Sequence, residues 1–282
     1  MFNPLSFIKV SPRTARVTWF GRLLPAALVV MLTQCSIADL RDAKLREGVT
    51  EQARARGLEL MRKAALAHGM KADGFKPGVS PLVEARGKDV WYSSLMRRFT
   101  PLDRNSQSFR MTLKKGGDRF EVLNGESKGR VLGREGARYF TIAAAKGSKP
   151  VYEDSSAAFI YLESLRLYME LPFLAAGMGN VAYMGRENIG GRPHELVFTS
   201  PGGFEPSDKA DQYVFALDAE TNRITYVRFT YRKVFSFYKG VLRYDDFRAL
   251  GDLLMPHRIA ILDAADDDEP VHEIILDEVR VK

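Results

Sequence analysis

Cysteine is the scarcest residue of this sequence, with one copy, Cys35, among 282 residues. A single thiol excludes an intrachain disulfide, a zinc site built from cysteines and a CxxC redox pair. Long hydrophobic runs are also missing, because the apolar stretch 23–32 would cover only about half of a ~30 Å hydrocarbon core. The P-loop signature of nucleotide-binding proteins and the HExxH signature of metalloproteases do not occur. What is left is a globular composition, with 45% apolar and 27% charged residues.

Acidic residues are absent from the first 34 positions. Four basic residues lie there: Lys9, Arg13, Arg16 and Arg22. The formal charge of +7 therefore falls to +3 for the residues from Cys35 onward, which comprise 38 basic and 35 acidic ones. A basic segment followed by a short apolar stretch is typical of a secretory signal peptide, which is removed from the mature protein. We predict such a leader at residues 1–34.

The cysteine lies at the end of the apolar stretch, in Leu32-Thr33-Gln34-Cys35. This tetrapeptide resembles the lipobox of bacterial lipoproteins, in which a leucine three residues before an invariant cysteine directs acylation of the thiol and cleavage before it. Gln34 departs from that pattern, because the family prefers a small residue there. The alternative is an ordinary signal peptide with an incidental cysteine at its end.

The lipobox resemblance implies a diacylglyceryl and acyl (palmitate) modification of Cys35, and we predict no other cofactor. Ser36 stands where an aspartate would usually retain a lipoprotein in the inner membrane. The resemblance therefore implies the outer membrane, with the domain facing the periplasm. Two or three acyl chains anchor a protein stably, at about 0.8 kcal/mol per buried CH₂. We expect residues 35–49 to be an anchor-proximal linker and residues 50–282 to form a single domain.

Two helices are predicted from apolar spacing near 3.6 residues. The first covers residues 50–68, with Thr50 as N-cap and Gly69 as stop signal. Its predicted core-facing stripe is Leu58, Met61, Ala65 and His68. The second covers residues 155–171 and is closed by Pro172. It is apolar nearly all round, so we expect it to be buried on more than one side.

From Asp89 onward the apolar period changes to two, which is typical of half-buried strands. Residues 71–88, rich in glycine and proline, are interpreted as a loop. Short links such as 115–118 allow only antiparallel pairing, since parallel pairing needs a crossover of a dozen residues or more. We count about ten or eleven strands and predict a mainly β (α+β) fold, an antiparallel sheet interrupted midway by the second helix.

Four features together resemble a known family: a first helix ending in Ala67-His68-Gly69, the meander after Asp89, the inserted helix, and the hairpin Leu217-Asp218-Ala219-Glu220-Thr221-Asn222. They are similar to the LolA/LolB family of bacterial lipoprotein carriers over roughly residues 50–282. The resemblance implies a curved sheet, an incomplete β-barrel with the two helices packed in or across its concave face. It supports a fold more than a function, because one fold hosts many functions.

Candidate chemical motifs are weak. The histidines lie in four different elements, at positions 68, 194, 257 and 272, and no pair has ligand spacing within one helix. His194 and Glu195 are adjacent in a predicted strand, so they point to opposite faces. Gly177–Ala182 matches a dinucleotide fingerprint but leads into a strand instead of a helix. We predict no catalytic residue and no metal site, with a hydrolase or metal enzyme as the minor alternative.

Aromatic residues alternate with cations between Tyr226 and Tyr244, as on a nucleic-acid platform. A secreted, anchored domain of charge +3 would rarely meet nucleic acid, so we expect no such partner. The simpler interpretation is that the aromatics line the concave face of the sheet and the cations its outer face. The acidic run 263–269 is interpreted as a solvated hairpin loop, because it lacks the alternating ligands and the glycine of a calcium loop.

Two functions stay in competition. In the first, the curved sheet and the apolar helix enclose a cavity for a lipophilic ligand, a lipid or an acyl chain. The cavity-lining candidates are Ala158, Leu162, Leu165 and Met169. In the second, the same residues form a dry core and a structural or assembly lipoprotein holds a partner protein of the envelope on its sheet edge or aromatic surface. A filled interior would favour the second function.

Overall fold

The computed structural model describes residues 37–70, 80–93, 97, 100–101, 104–114, 116–152, 156–233, 235–265 and 267–282. For residues 156–159 it describes the backbone only. The predicted leader and Cys35 lie outside the described residues. Among those described, no helix is both long enough and apolar enough to cross a bilayer.

Three α-helices lie at two places along the described chain. The helices α1 (Ala43–Glu47) and α2 (Glu51–Ala67) follow each other near its start. The helix α3 (Ser156–Leu174) lies in the middle of the sequence and continues into a 3-10 turn at Ala175–Gly177.

The helix α2 begins where the sequence predicts. The Thr50 Oγ1 accepts a hydrogen bond from the N–H of Ala53 at 3.1 Å, which satisfies one free donor of the first turn. The predicted stripe is wrong at Leu58, which is exposed, while Gly57 is buried beside it. A Cβ at Gly57 would lie 2.9 Å from a methyl group of Val181, so glycine lets the helix approach the sheet edge closely.

Thirteen strands of the described chain form one sheet. They are β1 (Leu82–Trp91), β2 (Ser106–Lys114), β3 (Gly117–Val122), β4 (Val131–Glu135), β5 (Arg138–Ile142), β6 (Val151–Tyr152), β7 (Ala182–Ile189), β8 (Arg192–Thr199), β9 (Tyr213–Asp218), β10 (Ile224–Thr230), β11 (Lys239–Leu250), β12 (Leu253–Leu262) and β13 (His272–Val281). Every neighbouring pair is antiparallel. The predicted fold class, a mainly β protein with a curved antiparallel sheet, is confirmed.

The strand order puts the first and last strands in the middle of the sheet. It runs β6-β5-β4-β3-β2-β1-β13-β12-β11-β10-β9-β8-β7. The sheet is therefore an open half-barrel whose two terminal strands are β6 and β7. Because α3 follows β6 and precedes β7 in the chain, this helix joins the two open edges.

The loop interpretation of residues 71–88 is wrong for the part that belongs to β1. The pairing of β1 with β13 has register irregularities between Leu82 and Glu84 and between Arg86 and Gly87. Such bulges interrupt the alternation on which a strand prediction rests. At Gly87 a Cβ would lie 2.0 Å from the carbonyl oxygen of Ile275, so a residue that resembles a loop glycine serves close strand packing.

Pro172 does not close the second helix as predicted, because α3 continues to Leu174. Proline has no N–H, so the carbonyl of Tyr168, one helical turn earlier, loses its usual partner. The Tyr244 hydroxyl of β11 donates a hydrogen bond to this carbonyl at 2.8 Å. A long-range contact that the sequence does not reveal therefore stabilises the proline within the helix.

Apolar residues pack on both faces of the sheet. The main core lies on the concave face, between the sheet, α2 and α3. A smaller cluster lies on the convex face, where Leu45 of α1 packs with Leu196, Phe198 and Val214. Part of the segment assigned to a linker, residues 37–49, therefore packs against the domain.

Candidate functional site

The helix α3 lies deep in the concave face of the half-barrel. Every residue from Ile160 to Leu174, the part of α3 whose side chains are described, is buried or half-buried. Three of the predicted cavity-lining residues belong to the main core, with exposed fractions of 2% for Leu162, 1% for Leu165 and 0% for Met169. The side chain of the fourth, Ala158, lies outside the described residues, as does the predicted lipidation site Cys35.

A buried carboxylate receives the N-terminal half of α3. Asp89 of β1 is inaccessible to solvent and accepts hydrogen bonds from the Tyr161 hydroxyl at 2.7 Å and from the Trp91 Nε1 at 2.9 Å. The Nε2 of His272 donates to the other oxygen of Asp89, and the His272 ring is stacked on Trp91 at 3.9 Å between centroids. Burial, and secondly the charge of Asp89, raise the pKa of Tyr161 well above its usual value.

A second buried carboxylate holds the middle of α3. Asp118 of β3 is 2% exposed and pairs with Arg166 of the helix at 3.0 Å and with Arg134 of β4 at 2.9 Å. Arg166 also pairs with Glu170 one turn later, at 2.8 Å. Burial works against the charge of Arg166, but Glu170 and Asp118 together raise its pKa.

Further polar contacts bind half-buried positions of the helix to the sheet. The Tyr139 hydroxyl of β5 donates to the Glu163 carboxylate at 2.6 Å. The Tyr231 hydroxyl, just after β10, donates to the carbonyl of Ile160 at 3.2 Å. The helix is therefore an apolar element held in an apolar trough by a small set of specific polar bonds.

A separate groove lies outside the concave face, beside the terminal strand β7. It has a volume of about 920 Å³ and is lined by α1, the start of α2 and three strand residues, Tyr183, Met184 and Gly185. As a terminal strand, β7 has no strand partner along this edge among the described residues. A sheet edge that lacks a strand partner can pair with a segment of another protein.

His68 and His194 make hydrogen bonds that stabilise the fold. The His68 Nε2 accepts from the N–H of Ile224 at 3.1 Å, so its Nδ1 donates to the Leu254 carbonyl, also at 3.1 Å. His194 bonds to the Thr225 hydroxyl, whereas its neighbour Glu195 bonds to Tyr183 and Arg186 on the other face. Within the described part of the chain, no group of three histidine, cysteine or carboxylate side chains could hold a metal ion.

Two short sequence patterns lack the secondary structure that dinucleotide binding or a catalytic serine requires. Gly177–Ala182 runs from the 3-10 turn into β7, so no helix N-terminus follows its glycines. Gly125–Gly129 matches the GxSxG pattern of hydrolases. It lies in the connection between β3 and β4, whereas a nucleophile elbow joins a strand to a helix.

Sequence reasoning missed the two buried carboxylates that hold α3. Asp89 and His272 are 183 positions apart, and Asp118 and Arg166 are 48 apart. No local pattern connects such pairs, since the pairing of β1 with β13 brings the first pair together and the packing of α3 on the sheet brings the second. The one available signal was an acidic residue in place of an apolar one on the inner face of a strand, as Asp118 is in β3.

Comparisons with known proteins find likeness in structure alone. No protein-family model and no curated protein matches the chain. A DUF1329 family protein from Desulfovibrio piger is similar over 81% of this chain and 93% of its own, with 10% identity and a TM-score of 0.50. A LolA superfamily protein from Nitrosomonas europaea covers 80% and 93%, with 13% identity and a TM-score of 0.44.

A domain described as that of an outer membrane lipoprotein-sorting protein from Vibrio parahaemolyticus covers 81% of this chain and 93% of its own, with 12% identity and a TM-score of 0.48. At identities this low, the comparisons concern the fold alone. At that level, the open antiparallel half-barrel that the sequence predicts is confirmed.

Proposed function

We propose, from the LolA-like half-barrel, that this protein is a lipid-anchored lipoprotein of the bacterial envelope that binds a lipophilic ligand in its concave face. Its anchor is the acylated Cys35, its place the periplasmic side of the outer membrane, and its role non-catalytic. The observation that carries the proposal is the position of α3. A single apolar helix, joined to both open edges of the sheet, covers what would otherwise be an apolar trough.

An acyl chain fits this trough for a physical reason. The inner face is built from large apolar side chains such as Phe109, Phe120, Phe215 and Ile259, and burial of apolar surface is not directional. A chain that slides between helix and sheet gains about 0.8 kcal/mol per buried CH₂. The bonds that it would break, such as Tyr161 to Asp89, each contribute on the order of 1 kcal/mol. A ligand of a dozen carbons can therefore offset the shift of α3.

The proposal predicts lipid bound to the unanchored protein. Because Ile37–Lys282 is a compact unit of its own, a Cys35→Ala chain can be secreted to the periplasm behind an exchanged leader. Native mass spectrometry with lipid extraction is expected to find a near-stoichiometric lipid. Trp91 is the only tryptophan after the leader and belongs to the Asp89 cluster, so its emission is expected to shift when palmitate is added.

Two tyrosine variants separate ligand binding from general stability. Tyr161→Phe removes one bond between α3 and the sheet, so the helix yields more easily and palmitate affinity is expected to rise about fivefold. Tyr152→Phe is the matched control, since its hydroxyl bonds to Glu135 on the exposed edge and has no bond to the described side chains of α3. Equal affinities of the two variants would contradict a role for α3, and a lipid-free protein that ignores palmitate would contradict the function itself.

The anchor is tested on the full-length chain. Labelled palmitate is expected to appear in the wild type and to disappear completely in a Cys35→Ser variant, because the acyl chains are carried by that thiol. Membrane fractionation is expected to place the wild type in the outer membrane and a Ser36→Asp variant in the inner membrane. Palmitate that persists in the Cys35→Ser variant would show that the lipobox is not used.

A second candidate function is supported by the groove beside β7. Its lining by one open strand edge and two helices suits an extended segment of a partner protein of the envelope. The buried state of Leu162, Leu165 and Met169 also agrees with the filled interior expected for an assembly role. A lipid-free protein that captures an envelope protein, and loses it on a Met184→Asp change in the groove, would favour this function.

A further inference from the structure

The connection between β10 and β11 displays two large apolar side chains to solvent. Phe235 is 56% exposed and Phe237 is 53% exposed, and their rings are stacked at 5.3 Å with an interplanar angle of 13°. Backbone hydrogen bonds from Phe235 to Tyr231 and from Tyr238 to Phe235, at 3.2 and 3.1 Å, shape the connection around them. The interpretation that the aromatics line the concave face of the sheet is therefore wrong for this pair.

The same connection holds the start of the described chain. The N–H of Ala38 donates to the carbonyl of Ser236, between the two phenylalanines, at 2.9 Å. The Arg232 guanidinium donates to the carbonyls of both Ala38 and Ser236, and it clamps the two segments together. Ile37, the next residue toward the N-terminus, is also exposed, with an exposed fraction of 38%.

Covalent geometry then places the predicted anchor beside the phenylalanines. Cys35 lies two residues before Ile37, and a residue spans at most about 3.6 Å of chain. Two residues of chain therefore reach at most about 7 Å from Ile37. Acyl chains attached to Cys35 would enter a membrane next to this connection.

The chemistry of the patch suits a lipid surface. Two exposed lysines, Lys233 and Lys239, flank the phenylalanine pair. The acidic groups near this region include Asp39 and Asp211, which both interact with Arg232, and Asp263 near Tyr238. Asp211 also interacts with Lys233. Aromatic rings settle at the boundary between headgroups and acyl chains, and neighbouring cations are attracted to anionic lipids.

We propose that Phe235 and Phe237, with the adjacent lysines, form a membrane-contact surface that lies against the bilayer beside the anchor and fixes the orientation of the half-barrel. This inference rests on the proposed lipidation of Cys35, which brings the membrane to this side of the domain. The affinity of the patch for lipid rests on its exposed rings and lysines. With the anchor and the phenylalanine pair both in contact, the domain has two points of attachment and cannot rotate freely about its first residue.

The test uses a tether in place of the acyl chains. A Cys35→Ala chain with a hexahistidine tag before Ser36 is bound to vesicles of phosphatidylethanolamine and phosphatidylglycerol that contain a nickel-chelating lipid. This chain has no other cysteine, so Phe235→Cys can carry a single polarity-sensitive fluorophore. Its emission is expected to shift to the blue on the vesicles, whereas a fluorophore at Tyr152→Cys, on an exposed edge strand, is expected to stay unchanged.

A matched pair of double variants gives the affinity. Without nickel, Phe235→Gln/Phe237→Gln is expected to lower vesicle partitioning at least tenfold, while Leu58→Gln/Leu66→Gln, at two equally exposed apolar positions of α2, leaves it unchanged. An unshifted fluorophore at position 235 would overturn the proposal. So would a loss of self-association in the glutamine variant, which would identify a second copy as the occupant. Palmitate binding measured through Trp91 is expected to persist in both variants. The membrane-contact proposal can therefore fail while the proposed ligand binding holds, and the two results can be told apart.

Discussion

Replacing Asp118 with alanine is expected to lower the free energy of unfolding by about 3 kcal/mol, because two guanidinium groups lose their shared carboxylate. Arg134 and Arg166 are only 20% and 27% exposed, so water cannot fully replace it. Asp118→Asn, which keeps the shape and removes the charge, is expected to cost less. Urea unfolding at pH 7 measures both changes.

Glu121 on the same strand is the matched control for Asp118. It pairs with Arg110 at 3.5 Å on the outer face, where both side chains are more than a third exposed. Such pairs contribute about 0–1 kcal/mol, so Glu121→Ala is expected to be nearly neutral. If the Asp118 and Glu121 variants lost equal stability, the buried pairs would not hold α3 in place.

The second large effect is a loss of stability between pH 7.5 and pH 5 that depends on His68. Burial, opposed only in part by the hydrogen bond to Leu254, and the charge of Arg223 lower the pKa of His68 from 6.5 to about 4. The folded state keeps this histidine neutral, since its Nε2 must accept from Ile224. The unfolded state binds a proton as the pH falls below 6.5, so the stabilisation is complete above pH 6.5 and is lost toward pH 4. Over the stated range, His68 is expected to contribute a loss of about 2 kcal/mol.

His68→Gln provides the comparison, because an amide offers a donor and an acceptor but does not titrate. Its free energy of unfolding is expected to be lower at pH 7.5 yet flatter with pH than that of the wild type. The difference between the two profiles isolates His68 from the other histidines. Parallel profiles would show that His68 is not the group that senses pH in this range.

Local signals predicted the parts of the fold that local physics determines. Thr50 caps α2, and Asn222 takes a positive φ of 57° in the predicted hairpin, since both depend on contacts within a few residues. The first part of β1 was predicted as a loop because its bulges depend on the pairing with β13. The end of α3 was predicted too early because the Tyr244 hydroxyl donates to the carbonyl of Tyr168, which has no N–H partner at Pro172.

The apolar composition of the candidate site could be predicted from the sequence, but the positions of its side chains could not. The apolar character of residues 155–171 correctly indicated a helix buried on several sides. The aromatic pair Phe235 and Phe237 could not be assigned to the surface, because their spacing of two equally suits a strand with an inner face. Only the turn that closes back on Tyr231 places them outside the sheet.

The pairing of β1 with β13 bears on how this chain would acquire its structure during the proposed export. The paired residues Val90 and Glu273 lie 183 positions apart in the sequence, so the contact between the two strands has very high contact order. If the chain crosses the inner membrane from its N-terminus, β1 cannot pair with β13 until translocation is almost complete. The two halves of the sheet, β1–β6 and β7–β13, can each form by local hairpins before then. The final step joins them at the centre, so a truncation that removes β13 would leave two separate sheets with exposed edges, a substrate for periplasmic proteases and chaperones.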